Sequence, residues 1–279
     1  LPPLPEGPAL KVLVIGDFGT RGDGQRQVAQ AIAETHGEAP PDLVLTVGDN
    51  IYPNGVSSVD DPLWQTTFED VYTGDFWENL VFFPALGNHD VRGSVQAQID
   101  YSDHNPMWTM PGEYCTIRRV LPSGDSVRFL ALETNAIKEA GNPEAPTQLE
   151  WVDSILQASP NDWVIAYGHH PMETVGWHKT DQPVREKLES AFQGRVPLYL
   201  AGHNHSTELL RVTDNLLQAV CGGGAGRDNA YRVGESPQLI SAFSNGGWCF
   251  LHVQPDVLAV ELYNAAGTLR FRHLIQAKD

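Results

Sequence analysis

Five times in this chain a short apolar, β-branched run ends in a glycine followed at once by a polar side chain. KVLVI runs into GDFG (Gly16, Asp17), DLVLTV into GDNIY (Gly48, Asp49, Asn50, Tyr52) and VFFPAL into GNHD (Gly87, Asn88, His89, Asp90). WVIAY runs into GHHP (Gly168, His169, His170) and PLYLA into GHNH (Gly202, His203, His205). Open α/β sheets build their binding sites at the carboxyl ends of their strands. A glycine at that point lets the backbone turn tightly where side chains must converge. Any one of these motifs taken alone reads as a turn, but five strand-end motifs in one chain argue for a single shared site.

The spacing around the motifs places them on a largely parallel framework. Strands are expected at Lys11–Ile15, Asp42–Val47, Val81–Leu86, Val127–Glu133, Trp163–Tyr167 and Pro197–Ala201. Helices are expected at Gln25–His36, Trp64–Tyr72, Thr147–Ala158 (with Thr147 as its cap) and Val184–Phe192, the alternation of βαβ units. Beyond about residue 208 helical periodicity stops, and Trp248–Val253, Leu258–Tyr263 and Leu269–Ile275 read as an antiparallel closing sheet. No repeat or linker interrupts the 279 residues. The expected fold is α/β, a two-sheet mixed β-sandwich flanked by helices and built from βαβαβ units, forming one domain over 1–279.

Lys+Arg 18 against Asp+Glu 35 gives a net charge of −17, which repels nucleic acid and anionic membrane surfaces alike. No apolar run approaches the roughly 18 residues that span a bilayer. The chain opens on Leu1 and a Pro-rich lead-in, LPPLPEGPAL, as expected of a secreted or periplasmic protein after signal removal. A monomer is expected. Three cysteines, Cys115, Cys221 and Cys249, exclude a disulfide framework, and without a CxxC pair they exclude zinc-finger and thioredoxin chemistry. One bridge, such as Cys221 to Cys249, is open to them; the preferred expectation is three small buried thiols.

The strand-end residues offer two Asp, one Asn, three His and one Tyr, hard oxygen and imidazole donors with no thiolate. That set suits iron, zinc or manganese. Seven donors are too many for one tetrahedral ion, and about right for two ions sharing a carboxylate, the clamp used on phosphate esters.

The order GDFG, GDNIY, GNHD, GHHP, GHNH resembles the calcineurin-like metallophosphoesterase superfamily, and within it the purple acid phosphatases. Most of that superfamily opens with Asp-x-His, whereas here Asp17 is followed by Phe18 and Gly19, and Tyr52 stands three residues after Asp49. That tyrosine is the purple acid phosphatase replacement. GDNIYPNGVSSVDDPLWQTTFEDVY, together with LGNHD, YGHHP and AGHNH, is similar to the small, animal-type tartrate-resistant enzymes, and the likeness runs from Lys11 to Ile275.

The resemblance implies a ferric site from Asp17, Asp49, Tyr52 and His205, and a divalent site (Fe, Zn or Mn) from Asp49, Asn88, His169 and His203, with Asp49 bridging. It implies hydrolysis of small phosphomonoesters to inorganic phosphate at acidic pH: a metal-bound water of lowered pKa attacks phosphorus while His89, as general acid, protonates the leaving oxygen. Asp90 is expected to orient His89. His170 stands where the animal enzymes carry Tyr, so contact with phosphate or a second proton donor is expected of it. An Fe(III) and a divalent partner carry +5 and the three anionic ligands −3, leaving about +2, so the metals invert the local field of an acidic protein. Asn135–Thr147 is shorter than the animal regulatory loop and lacks its cysteine, so proteolytic activation does not carry over. The sequon Asn204-His205-Ser206 lies inside a metal motif, where a glycan has no room. Trp108, Trp177 and His178 are candidates for the pocket rim, and the CGGGAG stretch (Cys221 to Gly226) resembles a family loop near the site. The alternatives are a two-metal phosphodiesterase or nucleotide hydrolase of the same superfamily, and a metal-binding protein without turnover.

Overall fold

The alternation of inward and outward apolar residues along each strand builds two sheets that face one another. In β1 (Leu10–Ile15), Val12 and Val14 point between the sheets while Leu13 and Ile15 point outward, the period of two that a strand imposes. The computed structural model describes residues 1–160, 162–226 and 233–277. After β1 come α1 (Asp23–His36), β2 (Leu43–Thr46), β3 (Phe82–Pro84) and α2 (Val95–Asp100). The middle of the chain forms β4 (Cys115–Val120), β5 (Ser126–Ala131), α3 (Thr134–Lys138), α4 (Glu144–Ala158), β6 (Trp163–Tyr167), α5 (Gln182–Phe192) and β7 (Leu198–Ala201). The rest is strand: β8 (Thr207–Thr213), β9 (Leu216–Cys221), β10 (Leu239–Phe243), β11 (Gly247–Val253), β12 (Val257–Asn264) and β13 (Leu269–Gln276).

One sheet has the order β13-β12-β11-β1-β2-β3 and the other β10-β8-β9-β7-β6-β5-β4. β1, β2 and β3 are parallel, as are β5, β6, β7 and β9. Val14, Leu45, Phe129, Ile165, Leu200, Leu251 and Val260 fill the space between the sheets. Val28 and Ile32 of α1 cover the outer face of the first sheet, and Val152, Leu156, Val184, Leu188 and Phe192 of α4 and α5 cover the second. Among the described residues no helix is long and apolar enough to cross a membrane.

The mixed two-sheet architecture agrees with the fold expected from the sequence, and four details differ. The three carboxy-terminal strands do not form a sheet of their own: β11 pairs antiparallel with β1, Leu10 facing Val253, and so extends the first sheet. The segment expected as a helix at Trp64–Tyr72 holds only a five-residue π-turn, Gln65–Glu69. Packing decides there, because the Trp64 ring stacks on Tyr101 at 3.6 Å and its indole N–H donates to Ser58 O at 3.2 Å. α4 begins at Glu144, so Thr147 is inside the helix and is not its cap. Finally, Cys221 and Cys249 form a disulfide between β9 and β11, one from each sheet, in place of the expected buried thiols, and Cys115 alone is free.

Candidate active site

The five glycine motifs leave β1, β2, β3, β6 and β7 at the same end, three from one sheet and two from the other, so their side chains meet across the seam. The turn is tight enough to need glycine: at Gly48, with φ +86°, an added Cβ would lie 2.6 Å from His169 Nδ1 and 2.8 Å from Gly87 Cα. Three of the polar residues themselves adopt left-handed backbone, Asp17 (φ 53°), Asp49 (φ 53°) and His203 (φ 69°). Non-glycine residues take up such φ values at a cost, and these conformations concentrate at functional sites.

All seven proposed donors come together in two overlapping groups. Tyr52 Oη lies 2.9 Å from Asp49 Oδ2, 3.2 Å from His205 Nε2 and 3.4 Å from Asp17 Oδ1; His205 Nε2 is 3.6 Å from Asp17 Oδ1. On the other side, His169 Nε2 lies 3.0 Å from Asn88 Oδ1, 3.2 Å from His203 Nδ1 and 3.5 Å from Asp49 Oδ1. Asp49 belongs to both groups. Backbone N–H groups hold the carboxylates in place, His203 N–H donating to Asp17 Oδ2 at 2.9 Å and His89 N–H to Asp49 Oδ1 at 2.9 Å.

The chemistry of these atoms fits cations. His169 Nδ1 is 2.9 Å from Val47 O, and since a carbonyl only accepts, Nδ1 carries the proton. His169 Nε2 is therefore a bare lone pair, and it faces the oxygens of Asn88 and Asp49, which are acceptors too. Lone pairs aimed at one another across about 3 Å repel unless a positive charge lies among them. A further proton does not serve at the imidazoles. Burial, with Asp49 beside it, raises the Asp17 carboxyl well above its usual range, and burial lowers His169 and His203 below the usual imidazole range. Burial next to Asp17 and Asp49 also raises the Tyr52 phenol. Desolvation thus disfavours charge of either sign, and the donor set fits metal ions, which would supply the missing positive charge. Among the described residues, Asp17, Asp49 and His169 offer ligand atoms that all lie within 4.8 Å of one another.

His89 sits at the edge of this cluster with its side chain 25% exposed and Nε2 3.9 Å from Asp49 Oδ2. Its ring is held by Nδ1, 2.6 Å from Pro53 O. Asp90 does not touch that ring. Its buried carboxylate accepts N–H bonds from Gly87 (2.8 Å), Asn50 (3.0 Å from the backbone, 3.0 Å from the side-chain amide) and Ile51 (3.1 Å). Asp90 therefore joins the turn bearing Asp49 and Tyr52 to the turn bearing Asn88 and His89. The expected orientation of His89 falls to the Pro53 carbonyl instead.

His170 is also placed differently from expectation. It is 1% exposed and packs against His203 at 4.7 Å between ring centres. Thr134 Oγ1 accepts N–H bonds from His169 and His170, so its own hydroxyl proton turns to His170 Nδ1 at 2.9 Å. Burial, with His169 beside it, keeps this imidazole neutral, so its position favours holding the ligand rings over donating a proton. Thr134 carries no motif and was invisible in the sequence. Of the rim candidates, Trp108 is buried in the aromatic core beside α2 and lines nothing, whereas Trp177 is 66% exposed. The His178 ring stacks on His203 at 4.0 Å. It is held there by Asn204, whose Oδ1 accepts the His178 N–H at 2.7 Å. The glycine stretch Cys221 to Gly226 packs on the first motif, Gly16 N–H donating to Cys221 O and Gly224 N–H to Gly16 O. Arg92, one turn beyond His89, has its Nη1 3.3 Å from His89 Nδ1.

A family model described as calcineurin-like phosphoesterase matches residues 10–207. Tartrate-resistant acid phosphatase type 5 of Sus scrofa is 30% identical over 295 residues, covering 95% of this chain and 86% of that protein. Purple acid phosphatase 3 of Arabidopsis thaliana is 29% identical over 91% of this chain and 74% of its own length. Among solved structures, GAP50, the anchor in the inner membrane complex of Plasmodium, superposes with a TM-score of 0.88 over 98% of this chain and 90% of that one. At 19% identity that likeness speaks for the fold alone. With the family model spanning most of the chain and the relatives aligned nearly end to end, the chain belongs to the calcineurin-like phosphoesterase family, in its purple acid phosphatase branch.

Proposed function

We propose that this protein is an acid phosphatase, a single metallophosphoesterase domain that hydrolyses small phosphomonoesters to inorganic phosphate at acidic pH over an Fe(III)–M(II) pair, with M being Fe, Zn or Mn. The observation that carries this reading is Tyr52, whose hydroxyl oxygen faces Asp17, Asp49 and His205 together. A phenolate is a hard anionic donor that favours a ferric ion. Asp17, Asp49, Tyr52 and His205 hold the ferric ion, and Asp49, Asn88, His169 and His203 the divalent one. Bound there, the pair supplies Lewis acidity, neutralises the phosphoryl oxygens and activates a water.

The chain's own residues then do the positioning and the proton transfer. With Nδ1–H fixed on Pro53 O, a second proton on His89 must sit on Nε2, the atom that faces the metal groups. The imidazolium donates that proton to the departing alkoxide. An acidic optimum follows, since His89 acts in its protonated form. His203 and His169 remain neutral ligands through burial, and Thr134, His170 and Asn204 hold their rings. The disulfide Cys221–Cys249 supports a secreted or periplasmic location, because such bridges persist in oxidising compartments.

The test is metal analysis of the purified protein together with its visible spectrum and its turnover of para-nitrophenyl phosphate. Iron in the preparation, a phenolate-to-iron absorption band and acid phosphatase activity are expected, and Tyr52→Phe abolishes or strongly shifts the band. Iron-loaded wild-type protein without such a band refutes the ferric assignment.

A further inference from the structure

Arg92 is a cation that the fold leaves uncompensated at the mouth of the site. It closes the short 3-10 turn Asp90–Arg92, which brings it back over His89, with its backbone N–H donating to His89 O at 3.3 Å. Its Nη1 lies 3.3 Å from His89 Nδ1. That nitrogen already carries its proton toward Pro53 O, so it has no lone pair to offer a guanidinium N–H. Among the described residues no carboxylate lies within the 4.0 Å of an ion pair from Arg92. Lys138, the lysine that acts on His169 and His203, is paired with Asp181 at 2.9 Å.

The position decides what Arg92 can bind. The two nitrogens of an imidazole are about 2 Å apart, so Nη1 lies within about 5.5 Å of His89 Nε2, the proton-donating atom. A leaving oxygen takes that proton from roughly 3 Å away. Groups attached two or three bonds beyond the leaving oxygen therefore come within reach of the guanidinium, while the phosphoryl group being transferred stays on the metal side. The planar fork of Arg matches a carboxylate or a phosphate through paired N–H bonds.

From this we infer that Arg92 is a specificity-determining residue that selects phosphomonoesters whose leaving alcohol carries a second anion, a carboxylate or a phosphate. The inference rests on the phosphatase reading above, with His89 on the leaving-group side. It is tested with the metal-loaded enzyme on phosphoglycolate and on ethylene glycol bisphosphate, each measured against the neutral analogue hydroxyethyl phosphate. The quantity read is the ratio of kcat/KM for each anionic substrate to that for the neutral one. In Arg92→Gln the ratio falls about tenfold, equivalent to about 1.4 kcal/mol; Arg92→Lys, which keeps the charge and loses the fork, falls less. Arg118→Gln, the same charge change on the exposed face of β4, moves the ratio less than twofold. A fall for only one of the two anionic substrates identifies which group the fork receives and supports selection. A ratio unchanged in Arg92→Gln, or lowered equally in Arg118→Gln, overturns the inference. An equal loss on all three substrates also overturns it, making Arg92 a support for the His89 ring alone. Wild-type enzyme with full metal content that turns over none of the three refutes the phosphatase reading, and the inference falls with it.

Discussion

Replacing Asp90 with Asn separates two roles that look alike in the sequence. In the structure the Asp90 carboxylate has four N–H donors: Asn50 and Ile51 backbone groups gather on Oδ1, while Gly87 N–H and the Asn50 amide gather on Oδ2. An Asn side chain keeps one oxygen and puts an NH2 group where the other stood, so two buried donors face a donor. Each buried group left unpaired costs about 1–3 kcal/mol, which makes a loss of about 4 kcal/mol the central expectation. For 279 residues the entropy of unfolding is about 0.6 kcal/mol/K, so Tm falls by about 7 °C. The loosened turns carry Asp49, Tyr52, Asn88 and His89, and a misplacement of about 1 Å there lowers kcat by about a hundredfold. Scanning calorimetry and turnover of an aryl phosphate across pH measure both effects. Because Asp90 does not touch the His89 ring, the alkaline limb of the pH–rate profile, where the protonated form of His89 is lost, keeps its midpoint. A Tm within about 1 °C of wild type, or an intact Tm with a displaced alkaline limb, refutes the bridging role and restores Asp90 as the partner of His89.

His89→Ala retains bound metal and loses about 10²–10⁴ in kcat on alkyl phosphates, with a smaller loss on activated aryl phosphates, whose leaving groups need less protonation; steady-state kinetics on both classes with metal analysis checks this, and equal losses count against His89 as the acid. Removing the bridge in Cys221→Ala/Cys249→Ala opens a loop of about 29 residues and costs about 3–4 kcal/mol on the chain-entropy account, a fall of about 6 °C in Tm. His36, 6% exposed, stacks on Phe250 at 4.1 Å and accepts the Trp248 indole N–H at Nε2, and burial brings its pKa down to about 4. Its neutral form is the stabilising one, so its contribution is complete above the unfolded value near 6.5 and is lost as pH falls through 4; acid titration of stability reads about 3 kcal/mol from this group, and His36→Phe flattens that limb.

What the sequence disclosed was whatever the backbone settles locally. The seven donors were legible because each stands one to four residues beyond a glycine that ends a strand, and parallel strands leave their sheets at one end. The strand at Lys11–Ile15 was legible from its unbroken apolar run, although which of its residues face the other sheet was not. Pairings between distant segments were not: β11 meets β1 across some 240 residues, and nothing in Trp248–Val253 by itself says which strand it will join. The Cys221–Cys249 bridge depends on β9 and β11 facing each other from different sheets, a fact of tertiary structure. The contacts of Asp90 were hidden because its neighbour His89 is adjacent in sequence and yet points elsewhere. Thr134, whose hydroxyl collects two histidine N–H groups, lies at the start of a short helix with no pattern to mark it.

A net charge of −17 read from composition suggests a molecule hostile to anionic ligands, and the site shows why that inference stops at the far field. Burial pushes the carboxyls of Asp17 and Asp90 up, the latter to about 7, and pushes the imidazoles of His169 and His203 down. In the metal-free protein burial favours the neutral form of both groups, so ionising the carboxyls costs stability. The raised carboxyls favour the fold while protonated, a contribution complete below the unfolded value near 4 and lost for Asp90 as pH rises through 7; the depressed histidines favour it while neutral, above about 6.5. Multivalent cations would remove that cost, because they pair with ionised carboxylates and bind neutral imidazoles in one step. Of the proposed ligands only Asp17 and Asp49 are acidic, with Tyr52 as a third anion once ionised, so two such cations would leave the centre positive. An anionic phosphate ester would then be attracted at short range by the centre those cations make, whatever the sign of the surface around it.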